Sequence, residues 1–104
     1  MTKGIRLSEH DTNAISNAFR QCFPHEDHLW IFGSRVDMSK RGGDIDLYIE
    51  TTLTDISKIT DAHYAFASTL EQYLGEQKID IVIKYGDKDL PIYTIARNTG
   101  IQLI

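Results

Sequence analysis

The chain has 104 residues, 41% of them apolar and 25% charged, with a formal net charge of -4 and one cysteine. That length suits one compact domain with a real core, and the composition excludes a disordered chain. The acidic balance argues against a protein whose main task is gripping nucleic-acid phosphates, and a lone Cys22 excludes an internal disulfide.

Taken in chain order, Met1 to Arg6 lead into polar sequence and no run reaches membrane-spanning length, so neither a signal peptide nor a spanning segment is expected. A cytoplasmic protein is the corresponding expectation. Ser8, with Asp11 three residues on, reads as a capping-box-like start; Ala14, Ile15, Ala18, Phe19 and Cys22 then fall on one stripe of a first helix ended by Pro24. Cys22 on that stripe is most simply a small core residue.

Leu29 to Phe32 is a short apolar and aromatic run stopped by Gly33, which suits a buried strand. Asp44 to Glu50 alternates: Ile45, Leu47 and Ile49 take one face, and Asp44, Asp46, Tyr48 and Glu50 take the other, read as open. From Asp55 to Leu74, Ile56, Ile59, Phe66, Leu70, Tyr73 and Leu74 recur at helical spacing, with Gly75 where a left-handed cap is expected. Ile79 to Lys84 is a third strand, with Asp80, Val82 and Lys84 opposite the isoleucines. Asp89 is expected to cap a last helix with Pro91 in its first turn, Ile92, Ile95 and Ala96 on its apolar side and Gly100 at its end. The tail Ile101 to Ile104 is expected to pack back on the domain. The order α-β-β-α-β-α predicts an α/β or α+β fold, a small mixed sheet with flanking helices, in a single domain over residues 1–104.

Three acidic residues interrupt strands otherwise built of isoleucine, leucine and valine. Asp44 and Asp46, two apart, project from one face with alpha carbons roughly 6.5 Å apart. Carboxylates that close repel unless a cation neutralises them, and a third from another strand, Asp80, raises the cost. Oxygen donors without histidine or cysteine favour magnesium, with manganese as the alternative, and two such ions suit in-line phosphoryl displacement. Gly33 lets a phosphate approach the backbone, and Ser34 adds a hydroxyl and an amide. A short helix over residues 34–39 would add free N–H groups; Arg35, Lys40 and Arg41 are the nearby cations.

Gly33-Ser34, nine intervening residues, then Asp44-Ile45-Asp46-Leu47, with Asp80 on a later strand, resembles the DNA polymerase β-like nucleotidyltransferase superfamily. Phe-Gly-Ser-Arg at 32–35, the small size and the element order are similar to its minimal nucleotidyltransferase (MNT) branch, over about residues 8 to 100. The resemblance implies the polymerase β-like fold, metal binding and catalysis by Asp44, Asp46 and Asp80, and nucleotide binding by Gly33 and Ser34. Gly43 departs from the pattern, since many members have serine before the first aspartate. The resemblance further implies ATP as substrate and two Mg2+ (or Mn2+) ions as cofactors. It also implies a partner, a HEPN-type ribonuclease toxin, to whose tyrosine hydroxyl the chain, as antitoxin, transfers AMP.

Each element also has a plainer reading. An Asp-x-Asp on a strand is usually a solvated face, Gly33 a strand terminator and Ser34 a helix cap; only their spacing unites them. His10, His25, His28 and His63 show no ligand spacing. Lys78, Lys84 and Lys88 read as solvating residues, although Lys84 shares a face with Asp80; Trp30 and Phe32 read as core, with a pocket-lining role for one of them as the lesser option. A non-catalytic antitoxin or nucleotide-sensing module that inhibits its partner by contact is the alternative function. Transfer to a small-molecule hydroxyl normally uses an added acceptor domain. Neither membrane nor nucleic acid is expected as a direct target, and acceptor choice is expected to rest on the partner or on dimerisation.

Overall fold

The computed structural model describes residues 4–37, 39 and 43–104. Its elements are α1 (Glu9–Cys22), β1 (His28–Phe32), a single 3-10 turn (Gly33–Val36), β2 (Ile45–Glu50), α2 (Ile56–Leu74), β3 (Ile79–Lys84), α3 (Pro91–Thr99) and β4 (Ile101–Gln102). This is an α+β fold: one four-stranded mixed sheet of order β3-β2-β1-β4, flanked by helices. The sequence-derived order holds, with a fourth strand added: the tail packs back by pairing antiparallel to β1, Ile31 opposite Ile101.

Local chemistry sets the helix ends. Ser8 caps α1, its hydroxyl accepting from the Asp11 amide at 3.0 Å, and Asp55 caps α2 through the amides of Ser57 and Lys58. Gly75 has the positive φ of 73° that glycine tolerates, but with ψ of -154° it is not a left-handed helical cap. Asp89 does not cap α3; Leu90 holds that position without a side-chain bond, and Pro91, which needs no amide partner, starts the helix.

The sheet has two differently covered faces. On one, Ile45, Leu47 and Ile49 of β2 and Leu29 and Ile31 of β1 meet Ile15, Ala18 and Phe19 of α1 and Phe66 and Leu70 of α2. Each such side chain contributes roughly 1.5–3 kcal/mol by leaving water. The Phe19, Phe23 and Phe66 rings pack at 5.0–5.9 Å between centroids. On the other face Trp30, Phe32 and Tyr48 are buried with Tyr93 and Ala96 of α3. The face of β2 expected to be open is therefore closed by α3 at Tyr48, while Asp44, Asp46 and Glu50 on it stay partly exposed. Trp30 and Phe32 are core here.

The helical stripes are narrower than periodicity predicts. Ile56 (58% exposed), Tyr73 (47%) and Ile95 (53%) lie outside the helix–sheet contacts, so none of them joins the core. Conversely Tyr93, absent from the predicted apolar side of α3, is buried. Among the described residues no helix is long and apolar enough to cross a membrane.

One buried carboxylate holds the loops behind the site. Asp27, 1% exposed, accepts from the Thr52 amide and hydroxyl at 2.9 Å each and from the Thr51 hydroxyl, joining the start of β1 to the end of β2. Asp27→Asn turns one acceptor into a donor facing donors, and a loss of about 1–2 kcal/mol is expected in urea unfolding.

Candidate functional site

The sequence-predicted residues lie at neighbouring positions of the sheet, where β1 ends and β2 and β3 begin. Antiparallel pairing sets Phe32 opposite Asp46, and parallel pairing sets Asp46 opposite Asp80. Asp46 thus lies between the Gly33 corner and Asp80, and Asp44 stands one residue before β2, which starts at Ile45 rather than at Asp44.

Glycine is required at the corner for two reasons. Gly33 has a φ of 75°, and a Cβ there would run into the Asp46 carboxylate oxygen Oδ2. The backbone of the Gly33 turn therefore lies directly against Asp46. The next step is coupled in the same way: Ser34 Oγ donates to the Asp44 carbonyl at 3.3 Å, and a Cβ on Gly43, whose φ is 93°, would collide with Ser34 Oγ. Gly43 is thus the residue that leaves room for Ser34.

The turn after β1 is shorter than the expected helix over 34–39: it is one 3-10 turn ending at Val36, with little dipole to offer. Its far end is held by Arg6, whose guanidinium donates to the carbonyls of Ser34 (2.6 Å) and Asp37 (2.9 Å). Arg35 is likewise structural, donating to the carbonyls of Arg6 (2.9 Å) and Gly43 (3.2 Å) rather than standing free toward a ligand. Lys40 and Arg41 lie outside the described residues. Lys84 sits at the opposite end of β3, in register with Glu50.

Charge is concentrated at the carboxylates. The Asp46 carboxyl is raised above its ordinary value, first by burial, then by the negative charges of Asp80 and Asp44 and by a side-chain hydrogen bond with Asp80; Lys78 opposes the shift. Asp44 Oδ2 lies 3.4 Å from Lys78 Nζ. This donor set fits a hard divalent cation in its chemistry, since the repulsion at Asp46 is what such a charge relieves. In arrangement it is incomplete: among the described residues no three carboxylate, histidine or cysteine groups converge as a metal-holding set. Asp46 and Asp80 are together, and Asp44 is engaged by Lys78.

Lys78 was legible in principle. It stands two residues before Asp80, so the period of the strand projects both from one face, and continuing the Ile45–Ile79 register sets it opposite Asp44. Arg6 and Asp27 carried no such signal, being single polar residues in irregular segments.

Beyond Asp46 the same face is sealed. The Tyr48 hydroxyl donates to Glu50 Oε2 at 2.8 Å, Arg97 lies 3.4 Å from that oxygen and over the Trp30 ring, and burial pushes the Tyr48 phenol well up. A concavity of about 590 Å³ lies elsewhere, between α1 and α2, lined by His10, Asn13, Ala14, Asn17, Gln21 and Tyr73. The carboxylates lie outside it, at the ends of β1, β2 and β3. Compared with models of protein families and with curated proteins, the chain matches none.

Proposed function

We propose that the chain is a metal-dependent nucleotidyltransferase of the polymerase β-like kind, a cytoplasmic antitoxin of the MNT branch that transfers AMP from ATP to a tyrosine hydroxyl of a HEPN-type ribonuclease toxin. The observation that carries the chemical part is the packing of Gly33 against Asp46 with Asp80 alongside. A glycine corner that admits a phosphate and a carboxylate cluster that attracts cations are thereby adjacent, as transfer of a nucleotide requires. The substrate and partner rest on the resemblance of the Gly33-Ser34 and Asp44-Ile45-Asp46 motifs alone.

In this reading the amides and hydroxyl of Gly33-Ser34 bind the β and γ phosphates. Asp44, Asp46 and Asp80 would hold two magnesium ions, which when bound supply charge neutralisation for the triphosphate and the attacking oxygen. Asp80, from a separate strand, flanks the nucleophile and accepts its proton. The tyrosine oxygen bonds to the α phosphorus, the bond from that phosphorus to the bridging oxygen breaks, and pyrophosphate leaves.

One observation favours the rival, a contact-based antitoxin or nucleotide sensor: the three carboxylates do not converge as they stand. Intact-mass analysis of the co-purified partner after incubation with ATP and magnesium separates the two. A gain of one or more AMP units, absent with Asp44→Asn/Asp46→Asn, is expected; a stable, unmodified complex would favour inhibition by contact.

A further inference from the structure

Resting on the nucleotidyltransferase reading, we infer that Lys78 is the resident counter-charge of Asp44, an internal cation that an incoming divalent ion must displace before the third carboxylate joins Asp46 and Asp80.

The backbone of Lys78 is fixed: its carbonyl accepts the Ile45 amide at 3.1 Å, which extends the β2–β3 ladder by one step. From that anchor its ammonium reaches Asp44 Oδ2 at 3.4 Å. Of the three carboxylates, Asp46 and Asp80 share a side-chain hydrogen bond, and Asp44 is the one paired with the lysine. Both side chains are substantially exposed, Lys78 at 71% and Asp44 at 45%, so either can swing without disturbing the core. Lys78 also acts on Asp46, where its positive charge offsets part of the repulsion from the neighbouring aspartates. One ammonium thus serves two of the three carboxylates until a stronger cation arrives.

An ammonium and a divalent ion cannot occupy the same lone pairs, so the lysine weakens metal binding by the strength of its own pairing. That pairing is exposed and modest. Lys78 is therefore a positioning residue that sets the metal affinity of the site, outside the group that touches the reacting atoms.

The test is titration with Mn2+ alone, following the free aquo ion by electron paramagnetic resonance, on the wild type, Lys78→Gln, Lys78→Arg and Lys84→Gln. Lys84→Gln removes the same charge six residues along the strand, roughly 20 Å away. Lys78→Gln is expected to bind Mn2+ about two- to fivefold more tightly than wild type at low ionic strength, with Lys78→Arg and Lys84→Gln near wild type. The difference should shrink at high salt. Equal or weaker binding by Lys78→Gln, or an equal gain in Lys84→Gln, overturns the inference and leaves the nucleotidyltransferase reading standing, provided that wild-type binding is lost in Asp46→Asn. Absence of Mn2+ binding in every chain would instead overturn the metal-dependent reading, and the inference with it.

Discussion

Asp46→Asn is expected to lose AMP transfer by roughly 1,000-fold or more, since it removes a charge from the centre of the carboxylate group while keeping the side chain's shape. The same change should not destabilise the cation-free protein. The Asp46 carboxyl is raised from its ordinary 3.8 by burial first, then by Asp80 and Asp44. A group raised in this way holds its proton more tightly in the folded chain than in the unfolded one. It therefore contributes stability that is fully present below about 3.8 and is lost as pH rises through the folded value. Thermal melts in chelator should show the wild type falling relative to Asp46→Asn as pH rises through that window. Added magnesium should recover the wild type alone. A variant that melts lower than wild type at neutral pH would show that Asp46 is a structural residue.

The second large effect is expected at Gly33. Replacement by alanine asks an L side chain to adopt a φ of 75° and directs its Cβ at the Asp46 carboxylate. The backbone strain costs about 1–2 kcal/mol. The collision forces either the turn or the carboxylate to move, and displacing a reacting group by about 1 Å can cost about 100-fold in rate. Gly33→Ala should thus lose both stability and transfer. A chain that lost only stability would mean that the phosphate-binding corner is not where the chemistry occurs. Gly75→Ala is the control, since φ there is also positive at 73° but a Cβ meets nothing.

β2 and β3 were readable because their signals are periodic, and β1 because a short apolar run stops at Gly33. Ile45, Leu47 and Ile49 on β2 and Ile79, Ile81 and Ile83 on β3 alternate with the aspartates, and alternation alone decides which residues share a face. What covers a face is a tertiary fact. Tyr48 read as lying on an open side because nothing local says that Tyr93 and Ala96 will pack over it. The β4 pairing involves two residues, too few for a period to register. Ile56 and Ile95 show the opposite error: they sit at helical spacing, but each helix meets the sheet along a narrower line than its apolar stripe. At the site, Arg35 looked like a ligand-binding cation until its bonds to the Arg6 and Gly43 carbonyls were located, and those depend on chain segments far apart in sequence.

The in-register pairing of Asp46 with Asp80 ties the accuracy of the site to the burial of its core. If β3 slipped by one residue against β2, an isoleucine would stand opposite Asp46, and Ile79, Ile81 and Ile83 would all turn away from the α1 and α2 side at once. A one-residue slip that parts the carboxylates therefore also takes the apolar side chains of β3 off the core. The hydrophobic alternation acts as a proofreader for the chemistry on the opposite face, and the acidic residues are free to repel one another because they have no part in choosing the register.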